Sequence, residues 1–225
     1  MIARGISKTS DSSTVFSGSE LQKLIIKRAR IAKKAESKIN ICLDLIEENY
    51  KEGERWLIFL EDGSHVSELA SGLEKLGLSY MRYEGDTPVS ERQLVADHLT
   101  QRGGIVLSMR CLDEGVDIPS ISHAVILSSS QNPRQFVQRR GRVLRYAGKE
   151  KRRAYIWDVI TMPQVDSADQ TKALILAEVA RAVEFAEYAE NSSVKTRLEV
   201  MLAEFGLSVD DCMRTEEEVS ESGEE

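Results

Sequence analysis

Long apolar runs are missing from this sequence. No stretch reaches the roughly 18 consecutive apolar residues that a membrane-spanning helix needs, so no membrane partner is expected. Met1 to Gly18 is rich in Ser and Thr and has no apolar stretch of the signal-peptide kind. Cysteine is scarce: only Cys42, Cys111 and Cys212, far apart. Their odd number argues against a disulfide framework, and their spacing matches no metal site. A reducing, cytoplasmic location is the simplest expectation. His65, His98 and His123 are equally isolated and unlike metal ligands. No internal repeat is present.

What is present is an ordinary hydrophobic fraction, 41% of 225 residues. A chain of that size can bury a sizeable core. The formal charge of −7 is unevenly placed. Asp210 to Glu225 holds eight acids and one base, Arg214, so the tail carries the whole excess. Arg134 to Arg153 holds nine bases and one acid, Glu150. A solvated surface is the plain reading of such a cluster; a polyanion receptor is the alternative.

The chain divides by pattern. Residues 1–18 read as a flexible leader, and 19–52 as a helical lead-in with Ile39, Leu43, Ile46 and Tyr50 on one stripe. Residues 53–163 alternate short apolar runs with helical stretches. Strands are expected at 56–60, 79–83, 104–108, 124–127 and 154–159. Helices are expected from Ser64, with Val66, Leu69, Leu73 and Leu76 inward, and from Pro88, with Leu94, Val95 and Leu99 inward. Near-continuous apolar strands are buried on both faces, as in a parallel sheet covered by helices. The fold class is therefore α/β, an open, doubly wound parallel sheet. Residues 164–209 read as C-terminal helices, and 210–225 as an acidic, disordered tail. Trp56 and Trp157 are expected in the core. His98, within a helical stripe, is expected to be a structural histidine, and Cys111 a small hydrophobe.

Ligands of such sheets lie at the carboxyl ends of the strands. The segments there are Glu61-Asp62-Gly63, Glu84-Gly85-Asp86, Ser108-Met109-Arg110 and Ser128-Ser129-Ser130. Between the last two strands lies Gln138-Arg139-Arg140-Gly141-Arg142-Val143-Leu144-Arg145, after a helix start at Pro133. On a helix, Gln138, Arg142 and Arg145 share a face. Planar guanidinium forks suit phosphate, above all one whose charge is spreading in a transition state. A basic helix on a nucleic-acid backbone, without catalysis, fits the same charge pattern.

That run resembles motif VI of superfamily 2 helicases, a Gln/His-Arg-x-Gly-Arg-x-x-Arg pattern. Trp56-Leu57-Ile58-Phe59 looks like their motif IV. Tyr83-Glu84-Gly85-Asp86 with Glu91-Arg92 looks like the Gly…Arg element after the next strand. Val106 to Pro119 looks like motif V. Four motifs in order imply the second, C-terminal RecA-like domain of such a helicase. The Gln-Arg-Arg-Gly-Arg form and Lys27-Arg28-Ala29-Arg30 look closer to DNA-directed restriction and repair helicases than to the DEAD-box RNA group.

The resemblance implies roles. Arg142 and Arg145 would be arginine fingers on the γ-phosphate of ATP, with Gln138 sensing it. Gly115, Asp117 and Arg139 would line the nucleotide side. Ser108, Arg110, Gly85 and Arg92 would contact nucleic acid, expected to be DNA. For Asp117 a turn before Pro119, for Ser108 a plain strand end, and for Arg92 a pairing with a nearby acid are the structural alternatives. The sequence departs from a whole motor in two places. It has no G-x-x-x-x-G-K-S/T phosphate loop and no acidic metal box on a strand. ATP and Mg2+ would then be held mainly by an N-terminal RecA-like domain, in cis or in trans, and this chain alone is expected to be inactive. Two other readings are a non-catalytic nucleic-acid-binding module and an interaction domain acting through its acidic tail.

Overall fold

The computed structural model describes residues 36–84, 87–109, 121–127, 154–162, 168–187 and 189–212. Within them the order is α1 (Glu36–Asn49), β1 (Arg55–Leu60), α2 (Gly63–Lys75), β2 (Tyr80–Tyr83), α3 (Val89–Arg102), β3 (Gly104–Met109), β4 (His123–Ile126), β5 (Tyr155–Asp158), α4 (Ala168–Glu187) and α5 (Ser193–Ala203). All five expected strands are present, each displaced by one residue at most at either end. They form one sheet in the order β2-β3-β1-β4-β5, and every pairing is parallel.

Alternation along the strands sends side chains to two cores. Trp56, Ile58 and Leu60 of β1 join Ile105, Leu107, Val125 and Leu127 on one face. There α1 covers them with Ile39, Cys42 and Ile46, and α2 with Val66, Leu69 and Leu73. On the other face Leu57, Tyr83, Val106 and Ile121 meet Leu99 of α3. Each fully buried aliphatic side chain contributes about 1.5–3 kcal/mol relative to exposure, so the central strands β1 and β3 carry most of the fold. The helix expected in the lead-in is thus part of the main core.

Local chemistry sets the helix ends. Asp62 caps α2: its Oδ1 accepts from the backbone N–H groups of Ser64 and His65, at 3.1 and 3.3 Å, worth about 1 kcal/mol. The same helix ends on Gly77 at φ 71, with Gly77 N donating to Glu74 O and Leu78 N to Leu73 O, a Schellman closure. Midway, Gly72 lets α1 come close: a Cβ there would lie 2.5 Å from Leu43 Cδ1.

Several inward assignments do not hold. Leu94 is 67% exposed, and Ala96 takes the buried place beside Leu99 on α3. Leu76 is partly exposed at the end of α2. His98 lies on the outer face of α3, exposed to solvent. A stripe read from spacing admits any apolar residue near the right angle, and only the helix's seating on the sheet selects among them.

Beyond β5 a second core forms. Ile175, Val179, Ala182, Val183 and Ala186 of α4 pack with Leu198 and Leu202 of α5 and with Cys212. Ile160 and Met162, just past β5, pack against it. Asp210, Asp211 and Cys212, expected at the start of a disordered tail, are folded. Ser208 N and Oγ donate to Asp211 Oδ2 at 2.8 and 2.7 Å, and Cys212 is fully buried. No helix among the described residues is long and apolar enough to cross a membrane.

Candidate functional site

A parallel sheet gathers the ends of its strands on one edge. Here that edge holds Glu61-Asp62 after β1, Glu84 after β2, Met109 ending β3 and Leu127 after β4. The chain leaves β1 toward β2 on one side and leaves β4 toward β5 on the other. Such a reversal opens a crevice at the carboxyl edge, where ligands of open α/β sheets bind.

Ser108 is the penultimate residue of β3, paired in register with Phe59 and Tyr83. It is fully buried, and its hydroxyl has no hydrogen-bond partner. Buried hydroxyls are nearly always bonded, so this one is a donor without its acceptor.

Arg92 sits on the first turn of α3, beyond the end of β2. Its Nε donates to Thr87 O at 2.8 Å, and its guanidinium carbon lies 5.6 Å from the centre of the Tyr83 ring. Thr87 closes the loop itself: Glu84 N donates to Thr87 Oγ1 at 2.9 Å, and Thr87 N to Glu84 O at 3.1 Å. The turn and the ring hold the guanidinium in one place, half-buried. These contacts hold Arg92 against a carbonyl and an aromatic face.

Lys38 and Glu178 were not anticipated. Lys38 Nζ donates to Leu127 O and to Glu178 Oε2, each at 3.0 Å, and both side chains are buried. A spacing signal existed. Lys38 lies on the i, i+4 row of Cys42 and Ile46, and Glu178 on that of Ala182 and Ala186, both apolar stripes.

The opposite, amino-terminal edge holds a stack of rings. Trp56, His123 and Tyr155 occupy one register row across β1, β4 and β5. Trp56 lies 4.6 Å from His123, and His123 5.1 Å from Tyr155, each pair 12° from parallel. Trp157 stacks 5.2 Å from Trp56. Trp56 is fully buried, as expected, and Trp157 is half-buried. Burial lowers the His123 pKa from its ordinary value; the Glu54 carboxylate raises it in part, and Lys51 adds to the lowering. This edge is a packing feature remote from the crevice.

Gln138, Arg139, Arg142, Arg145, Gly115, Asp117, Arg110 and Gly85 lie outside the described residues. So do Cys111 and the triple-serine segment 128–130. Among the described residues no group of three His, Cys, Asp or Glu side chains is placed to hold a metal ion.

Residues 37–147 match the family described as the helicase conserved C-terminal domain. The chain is 24% identical over 111 residues to DEAD-box ATP-dependent RNA helicase 22 of Arabidopsis thaliana, covering 49% of this chain and 19% of that protein. It is 28% identical over 137 residues to the DNA 3'-5' translocase XPB2 of Sulfurisphaera tokodaii, covering 60% of this chain and 29% of that protein. The chain thus spans less than a third of the length of these relatives. Among solved structures, the C-terminal domain of the DEAD-box protein Dbp5 superposes with a TM-score of 0.52 at 18% identity, over 70% of this chain and 81% of that one. At that identity the likeness is one of fold: the parallel sheet with flanking helices is RecA-like.

Proposed function

We propose that this chain, whose residues 37–147 match the helicase conserved C-terminal domain family, is the second motor lobe of an ATP-dependent nucleic-acid helicase or translocase. The observation that carries this is the match itself. It spans α1, β1–β4 and the sequence through Gln138 to Arg145. The arginine run therefore follows, in sequence, the carboxyl end of β4.

In this reading Arg142 and Arg145 approach the γ-phosphate of substrate ATP across the cleft between two lobes, and Gln138 senses it. Gly115, Asp117 and Arg139 line the same side. A phosphate-loop lobe, in cis or in trans, holds the triphosphate and Mg2+, whose part is to neutralise phosphate charge. Arginines in such a position are worth about 10³–10⁵ in rate. The basic cluster and the loops at the carboxyl edge form part of the nucleic-acid track. Ser108, Arg110, Gly85 and Arg92 are the contacts we assign. The unpartnered Ser108 hydroxyl supports this, since a phosphate oxygen would supply its acceptor. The anchoring of Arg92 by Thr87 and Tyr83 supports it too, because a held guanidinium loses less freedom on binding.

For the strand itself we propose DNA. The Gln-Arg-Arg-Gly-Arg form supports this, as does the longer alignment to a relative named as a DNA translocase. The experiment supplies the chain with a phosphate-loop lobe and measures ATP hydrolysis with single-stranded DNA, duplex DNA and RNA. DNA is expected to stimulate most; a larger response to RNA reverses the strand assignment. Arg142→Ala and Arg145→Ala are each expected to abolish most of the stimulated rate. A rate near that of the unmodified chain would sink the finger assignment.

A further inference from the structure

Lysine is among the residues least often fully buried, yet Lys38 is 1% exposed. Its neighbours along the α1 stripe, Ile39, Cys42 and Ile46, show that an apolar side chain would suit the site. Taking an ion pair out of water carries a large desolvation penalty, so such a pair is weak support for stability and a better candidate for specifying geometry.

The geometry here is specific. Lys38 Nζ joins the first turn of α1, the carbonyl just past β4 and the middle of α4. Leu127 is held from its other side as well. Its N–H donates to Phe59 O at 3.1 Å, and its side chain is fully buried. The exit of β4 is therefore pinned by β1 and by Lys38 at the crevice where the chain reverses direction. Residue 128 follows at once, and the segment beginning there carries Gln138, Arg142 and Arg145.

We propose that Lys38 and Glu178 are positioning residues. Glu178 orients the Lys38 ammonium, and Lys38 holds the Leu127 carbonyl, so that the arginine run departs from the sheet at a set place. The C-terminal helix α4 then belongs to the working lobe through Glu178. The link to catalysis rests on the motor-lobe reading above; the pinning of β4 does not.

The test has two arms. The first uses the 225-residue chain alone and follows backbone hydrogen exchange. Glu178→Gln keeps the shape and removes the charge; Lys38→Met with Glu178→Leu replaces the pair by apolar groups and leaves Leu127 O without its donor. Exchange across residues 124–127 is expected to rise several-fold, while β1 and β3 stay protected. Unchanged exchange there, or a rise spread evenly over all strands, overturns the proposal. If the double variant does not fold, Glu178→Gln decides by the same two outcomes. The second arm adds a phosphate-loop lobe. If the unmodified chain gives no nucleic-acid-stimulated hydrolysis, the motor reading fails, and the exchange arm still decides the pinning. If it does, the folded variants are expected to lose about tenfold to a hundredfold in kcat, with KM for ATP within about twofold of the unmodified value. A loss in KM with kcat retained would overturn the positioning role.

Discussion

Trp56 and His123 lie face to face on neighbouring parallel strands, their ring centres 4.6 Å apart and their planes 12° from parallel. Glu54 Oε2 accepts from Trp56 Nε1 at 2.9 Å and lies 3.7 Å from His123 Nδ1. One carboxylate thus addresses both rings. The Ser122 hydroxyl sits 2.9 Å from the same His123 nitrogen and donates to Arg55 O.

This stack should make stability fall in acid. Burial holds the His123 pKa below its ordinary value, so the folded chain resists a proton that the unfolded chain accepts. The contribution is complete above about pH 6.5, the usual histidine value, and is lost as pH falls through that value toward the folded one. Unfolding midpoints measured between about pH 7.5 and pH 5 should decline. His123→Phe keeps a ring in the stack and should flatten that decline. An unchanged slope in the variant would count against this origin.

Gly103 and Gly77 should respond differently to alanine. Both have positive φ, 76 and 71. A Cβ on Gly77 meets open space, so only the backbone penalty of about 1–2 kcal/mol applies. A Cβ on Gly103 would lie 2.5 Å from the carbonyl carbon and oxygen of Gly53, which rigid backbone cannot yield. Gly103→Ala should therefore lower stability by clearly more than Gly77→Ala in urea unfolding. Equal losses would mean the loop at Gly53 gives way.

On α3 the burial order can be measured directly. Leu94→Gln, at a 67% exposed position, should change stability by no more than about 0.5 kcal/mol. Leu99→Ala, at a 1% exposed position, should lose about 2–5 kcal/mol. The reverse order would show that α3 is seated on its other face.

Ser108→Ala separates packing from ligand contact. The hydroxyl makes no hydrogen bond, so its removal should leave the thermal midpoint unchanged or slightly raised. Nucleic-acid affinity, measured by fluorescence anisotropy, should fall if the proposed phosphate contact is made. Unaltered affinity would remove Ser108 from the track.

Much of this protein was readable before its structure. The runs Trp56–Leu60, Ile105–Ser108 and Ala124–Leu127 are apolar on both faces, which only a covered parallel sheet accommodates. The helix expected from Ser64 is α2, which starts one residue earlier at Gly63, because helix starts are set by local chemistry.

Long-range placement was not legible. Periodicity put Leu94 inside, but the seat of α3 against Leu57, Val106 and Tyr83 turned that residue out. Nothing local says that β3 inserts between β1 and β2, or that Trp56, His123 and Tyr155 fall in one row. Lys38 and Glu178 stand 140 positions apart. Each lies on an apolar stripe of its own helix, but neither stripe names the other as partner, and their meeting at Leu127 O exists only once α1 and α4 have been brought together. The sequence by itself determined the elements and the parallel class, since those depend on neighbours a few residues away. The tertiary structure alone decided the strand order, the exposed face of α3 and the buried pair that pins the exit of β4, since those depend on which surfaces meet when the layers close.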